Sequence, residues 1–169
     1  TMRADQFSDG GGARLGAQMG AISAEHLEYT SLDGIRALAE AGTVAVSLPL
    51  ASLYLRENYM PARQLLDAGA GVAIATDFNP GSAPSFHLPL AMTLSCLNQS
   101  MTPQEVLLGA TRVAARAIGL EGEVGSLSPG YQADLAVFDA PSLSHFLYQF
   151  RANACIGVMK RGTWVRQLV

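Results

Sequence analysis

Three short stretches hold side chains able to move protons or meet a cation. They are Arg3-Ala4-Asp5-Gln6, Glu25-His26-Leu27-Glu28 and Thr76-Asp77-Phe78-Asn79-Pro80-Gly81. Asp77 is the sharpest of them. It closes the apolar run Val72-Ala73-Ile74-Ala75, and a loop rich in glycine and proline begins at once behind it. A carboxylate at the tip of a buried-looking strand loses its hydration without return unless a cation or a donor faces it. His26 has an ordinary use as a core or capped histidine, and Asp77 has one as a helix cap or turn former. Both at successive strand ends favour one shared rim over two unrelated uses.

The elements that must position these groups alternate along the chain. Strands are expected over 3–7, 21–27, 43–48 and 72–76, and helices over 13–19, 32–41, 61–68 and 86–98. Thr102, Pro103 and Glu105 form a helix start, with Thr102 as the cap and Glu105 completing the box, and that helix is expected to break near Gly109. This alternation predicts βα units around a parallel sheet. TVAVSL and GVAIAT are apolar throughout, as strands are when both faces are covered. Four such strands make half of a (β/α)8 barrel, whose strand ends converge on one mouth. Residues 1–120 are therefore expected as a partial barrel. Residues 121–169 read as short alternating strands with glycine turns, a small β-structure of their own.

Of the 169 residues, 49% are hydrophobic and 15% are charged, an apolar balance that hints at surface covered by more protein. A net charge of -3 with scattered signs gives no basic stripe and excludes a nucleic-acid footprint. No apolar run approaches the roughly 20 residues of a membrane span. Cys96 and Cys155 have neither disulfide nor metal spacing, and with no signal peptide in view they point to a reduced, cytoplasmic chain. The opening TMRADQFSDGGG reads as though already inside a structural element, so a portion of a longer protein is expected.

ADQFSDGGG, SAEHLEYTS, AGTVAVSLP, ATDFNPGSAPS, TRVAARAIGL and GSLSPGYQADLAVFD together resemble the C-terminal half of the imidazolonepropionase family, in the amidohydrolase superfamily. The resemblance runs over nearly the whole chain. It implies the last four βα units of a metal-dependent-hydrolase TIM barrel, with Gly125 to Asp139 marking the return into a β-sandwich. The implied reaction is hydrolysis of the ring amide C–N bond of 4-imidazolone-5-propanoate to N-formimidoyl-L-glutamate, in histidine degradation. One zinc or iron ion would acidify the attacking water. Asp77 matches the family's metal-binding aspartate, which also accepts the water proton. His26 matches a strand-end histidine that steadies the oxyanion. Asn79, Gly81 and Ser82 match positions that contact substrate or product, and Gly81 has no side chain to bar close approach. Gln6 matches a position against the imidazolone.

Two departures from that pattern bear on function. The family's first strand supplies a His-x-His metal pair, whereas the histidines here are His26, His87 and His145. Arg3 stands where the family has histidine, and a guanidinium has no lone pair to give a metal. Asp77 alone remains of four expected ligands. The chain by itself is therefore expected to bind no catalytic metal and to leave the substrate intact, with Arg3 pairing Asp77 in place of the metal charge. His87 and His145 read as ordinary positions. The expected partners are the small-molecule substrate and either the missing N-terminal half or a second copy of the chain. The alternative is a non-catalytic half-barrel serving as a scaffold or self-associating domain. A binding module built on the NPG loop is a third reading.

Overall fold

Four short strands, β1 (Met2–Ala4), β2 (Ser23–His26), β3 (Val44–Ser47) and β4 (Val72–Ile74), pair side by side in chain order, all parallel. They come from a computed structural model that describes residues 1–150 and 153–167. Sheet order that never reverses is the order of a barrel wall, whereas a doubly wound sheet turns back at a switch point. Between the strands run α1 (Gly12–Gln18), α2 (Leu32–Ala41), α3 (Pro49–Leu55) and α4 (Ala62–Asp67). After β4 come α5 (Leu88–Gln99), α6 (Pro103–Gly109) and α7 (Arg112–Ala117).

Local chemistry accounts for these boundaries. Ser31 Oγ accepts the Gly34 N–H and starts α2, which ends at Gly42 in the left-handed region. Thr102 and Glu105 exchange side-chain and backbone hydrogen bonds at the start of α6, as the sequence predicts. Gly109 allows α6 to lie on β4, because a Cβ there would stand 2.9 Å from the Val72 carbonyl oxygen. The long helix expected beyond residue 104 accordingly divides into α6 and α7.

Strand alternation sorts the sheet into two faces. Met2, Ala24, Ala45 and Val72 share one register row, and Arg3, Glu25, Val46 and Ala73 share the next. The first row lies under the helices, where Gly16 brings α1 down onto Met2. Leu27, Leu38, Val44, Leu65, Val72 and Val106 fill the core between them. β3 and β4 are buried along their whole length.

The remaining strands, β5 (Leu135–Phe138), β6 (Cys155–Lys160) and β7 (Thr163–Gln167), form a separate antiparallel sheet in the order β5-β6-β7. The expected sandwich is thus a single three-stranded layer among the described residues. Positions 151–152 and 168–169 of the expected 121–169 unit lie outside them. α8 (Leu143–Tyr148) occupies a stretch expected only as polar and aromatic, and Ser142 Oγ caps it by accepting the His145 N–H at 3.1 Å. α3 was also unforeseen. Pro49 stops β3 but then serves as the first residue of that helix, where its missing N–H costs nothing. The strand expected over 3–7 ends at Ala4, because Asp5 turns left-handed with φ 48°.

Asp134 ties the antiparallel sheet together. It accepts hydrogen bonds from Lys160 Nζ, from the Arg161 N–H at 2.8 Å and from Gln132 Nε2 at 2.8 Å. The Lys160 ammonium first, and then the Arg161 N–H, hold its carboxyl down at about 2. An unfolded aspartate titrates near 3.9, so this stabilisation is complete above about pH 4 and is lost as pH falls through about 2. The thermal midpoint should fall between about pH 4 and pH 2, and Asp134→Asn should flatten that fall. Equal slopes in the two proteins would refute the assignment.

Candidate active site

Three non-glycine residues at strand ends adopt left-handed backbone conformations. Asp5 follows β1 with φ 48°, His26 ends β2 with φ 77°, and Asp77 lies just past β4 with φ 52°. Leu27 continues the turn after His26 with φ 66°. Such conformations cost about 1–3 kcal/mol each and gather where a side chain must be aimed. All three fall at the C-terminal end of one parallel sheet, where barrel enzymes build their sites.

A cavity of about 330 Å³ opens on the face that carries Arg3, Glu25, Val46 and Ala73. His26 and Asp77 line it as well, together with Ala114 and Ala117 of α7 and Ile118 just beyond that helix. Simple alternation would put His26 under the helices with Ala24. The left-handed turn at His26 and Leu27 ends that alternation, so His26 reaches the cavity beside Glu25.

The His26 side chain is 1% exposed. Its Nδ1 lies 3.2 Å from Glu28 Oε1, which also accepts the Ser52 hydroxyl at 3.3 Å. Its Nε2 lies 4.0 Å from Asp77 Oδ2, too far for a hydrogen bond but close enough for charge to be felt. Asp77 Oδ2 is itself buried without a hydrogen-bond partner among the described residues. Nothing in the linear pattern separates Glu28 from neighbouring acidic residues. The one available signal is its place two residues after a strand-end histidine.

The other sequence-predicted residues fall around this pair rather than within it. Asn79 Oδ1 accepts the N–H groups of Gly81 at 2.9 Å and Ser82 at 2.8 Å, and its Nδ2 donates to the Asp77 carbonyl at 2.6 Å. Asn79, Gly81 and Ser82 therefore form a self-tied loop next to Asp77 and are absent from the cavity lining. Gly81 keeps an ordinary φ, and a Cβ there would meet only Asn79 Oδ1, at 3.4 Å. Arg3 Nε donates to Gln6 Oε1 at 3.2 Å. The expected pairing of Arg3 with Asp77 does not form. The two residues belong to opposite edges of the sheet, three strand spacings or about 14 Å apart along it.

Asp5 was not singled out by sequence, yet it shapes this rim. Its Oδ1 accepts the N–H groups of Gly10 and Gly12, and its Oδ2 accepts that of Ala13, fastening the glycine-rich loop to the start of α1. Gly12 is needed there, since a Cβ would come 2.9 Å from that of Ala4.

Among the described residues no group of three or more His, Cys, Asp and Glu side chains is placed to hold a metal ion. The unpartnered Asp77 Oδ2 is a fit acceptor for one. A single such oxygen, with Arg3 at the far edge and His26 engaged through Nδ1, does not make a site.

The sequence matches the Amidohydrolase family over residues 13–165. It is similar to the imidazolonepropionase of Rubrobacter xylanophilus, with 47% identity over 161 residues, and to that of Geobacillus kaustophilus, with 46% over 161. Each alignment takes in 95% of this chain but only 39% and 38% of the respective relative, so the chain spans well under half their length. In fold it is similar to a zinc-bound adenosine deaminase from Xanthomonas campestris, with TM-score 0.80 and 24% identity over 86% of this chain and 37% of that one. A triazine hydrolase variant gives TM-score 0.80 and 21% identity, over 88% and 37%.

The Asn79 bonds set an expectation for the loop. Asn79→Ala should raise amide hydrogen exchange at Gly81 and Ser82 by about tenfold for each 1.4 kcal/mol lost. Exchange rates unchanged at both amides would show that the loop is held by something else.

Proposed function

The chain belongs to the amidohydrolase family, and from that premise we propose that it carries the proton-handling rim of a hydrolase that opens the ring of 4-imidazolone-5-propanoate. The observation that carries this reading is the meeting of His26 Nε2 and Asp77 Oδ2, 4.0 Å apart at the end of one parallel sheet. Similarity to imidazolonepropionases over 95% of the chain supplies the substrate class.

Water adds to the ring amide carbon, the C–N bond breaks, and N-formimidoyl-L-glutamate results. Asp77 takes the proton of the attacking water and returns it to the departing ring nitrogen, while His26 faces the oxygen that gains charge. Gln6 and the loop of Asn79, Gly81 and Ser82 approach the substrate from the rim, with Asn79 holding the loop in shape. A zinc or iron ion belongs to the complete enzyme, and its further ligands come from outside these 169 residues. The setting is the cytoplasm. Residues 1–120 act as one unit, the partial barrel, and 121–169 as the other.

A second reading, self-association without catalysis, draws support from the sheet itself. Among the described residues β1 and β4 each have one neighbour only, and unpaired strand edges invite pairing.

The test is turnover of 4-imidazolone-5-propanoate by this polypeptide, alone and with the N-terminal portion of an imidazolonepropionase. No turnover is expected alone, and turnover is expected in the mixture. In the mixture, Asp77→Asn and His26→Ala should each lower kcat by about 10²-fold or more. Turnover by the isolated chain overturns its expected inactivity, and a mixture indifferent to both substitutions overturns the assigned roles. A dimer that never yields turnover with the N-terminal portion favours the second reading.

A further inference from the structure

Glu28 does not line the cavity that His26 and Asp77 share and lies behind His26 as seen from it, yet it makes the sole hydrogen bond described for that imidazole. Both side chains are almost fully enclosed, at 1% and 2% exposure. Glu28 Oε1 lies 3.2 Å from His26 Nδ1 and accepts the Ser52 hydroxyl, while Oε2 has no hydrogen-bond partner among the described residues. An ionised carboxylate only accepts hydrogen bonds. With Glu28 as the accepting carboxylate, as it is toward the Ser52 hydroxyl, the hydrogen between Oε1 and Nδ1 sits on the ring. Two successive left-handed residues, His26 and Leu27, bring Glu28 round behind the imidazole it follows by two positions. That backbone costs free energy and is kept where it aims a group.

We propose that Glu28 is a positioning residue that fixes His26 as its Nδ1–H form and turns Nε2 into the cavity toward Asp77 Oδ2. Ser52, from α3, steadies the shared oxygen and so limits the swing of the carboxylate. A bare Nε2 has no hydrogen to give an oxyanion, so the role assigned to His26 above requires a second hydrogen on Nε2 when charge develops. That role rests on the hydrolase reading, whereas the site of the first ring hydrogen does not. A carboxylate behind an imidazole is the arrangement by which proteins commonly select one ring nitrogen for work.

The experiment is a long-range 1H–15N correlation spectrum of the labelled chain, followed through a pH series. Substituting His87→Gln and His145→Gln leaves His26 as the one ring in view. In the range where the ring carries a single hydrogen, the expected pattern has that hydrogen on Nδ1 and a bare Nε2. Glu28→Gln, which keeps an accepting oxygen, should retain the pattern. Glu28→Ala should lose it in favour of hydrogen on Nε2. A parent spectrum with hydrogen on Nε2 and a bare Nδ1 overturns the proposal without any Glu28 variant, so poor folding of Glu28→Ala does not protect it. A Glu28→Ala spectrum that keeps hydrogen on Nδ1 overturns it too. No substrate is present, so failure of the hydrolase reading would leave this result standing.

Discussion

Parallel pairing of β1 to β4 in chain order is the constraint from which the rest follows. Parallel strands end on the same side, so residues that leave the sheet there share a rim however far apart they lie in sequence. His26 and Asp77 are 51 positions apart in the sequence and meet because β2 and β4 run the same way with β3 between them. The register also fixes which side chains share the cavity face, with Arg3, Glu25, Val46 and Ala73 in a single row. A one-residue slip would send that row under the helices and its apolar neighbours into the cavity.

Polar groups at this rim divide into those that are satisfied and those that are not. Asp5 takes three backbone N–H groups and Asn79 two, so both serve to hold loops. Asp77 Oδ2 and Glu28 Oε2, one on either side of His26, are buried without hydrogen bonds among the described residues. An unsatisfied buried acceptor costs about 1–3 kcal/mol, so a fold keeps two of them together only where something is gained. The molecule spends its loop chemistry on rigidity and its residual electrostatic tension on the histidine.

Much of this was legible in the sequence, and for physical reasons. TVAVSL and GVAIAT show burial on both faces through composition alone, and the Thr102 to Glu105 start is a local hydrogen-bond pattern that needs no tertiary context. Asp77 stands out because a charge follows an apolar run. Features that depend on distant partners were hidden. Pro49 reads as a stop for β3, and its second role at the head of α3 appears only once that helix packs on α5. Arg3 and Asp77 are opposite charges of matching rank, but the two intervening strands keep them apart. Glu28 was concealed most completely, since its relation to His26 arises from two left-handed residues that no pattern of apolar positions announces.

Chain-order pairing also bears on how the polypeptide acquires its shape. Each strand from β2 to β4 docks against the one synthesised just before it, with a helix or two intervening. Pairing in chain order keeps each closed span as short as a parallel connection allows, and loop-closure entropy grows only slowly with span. In order of synthesis, β2, β3 and β4 each follow the strand they first pair with. β5, like β1, precedes its partner, and β6 follows only after α8.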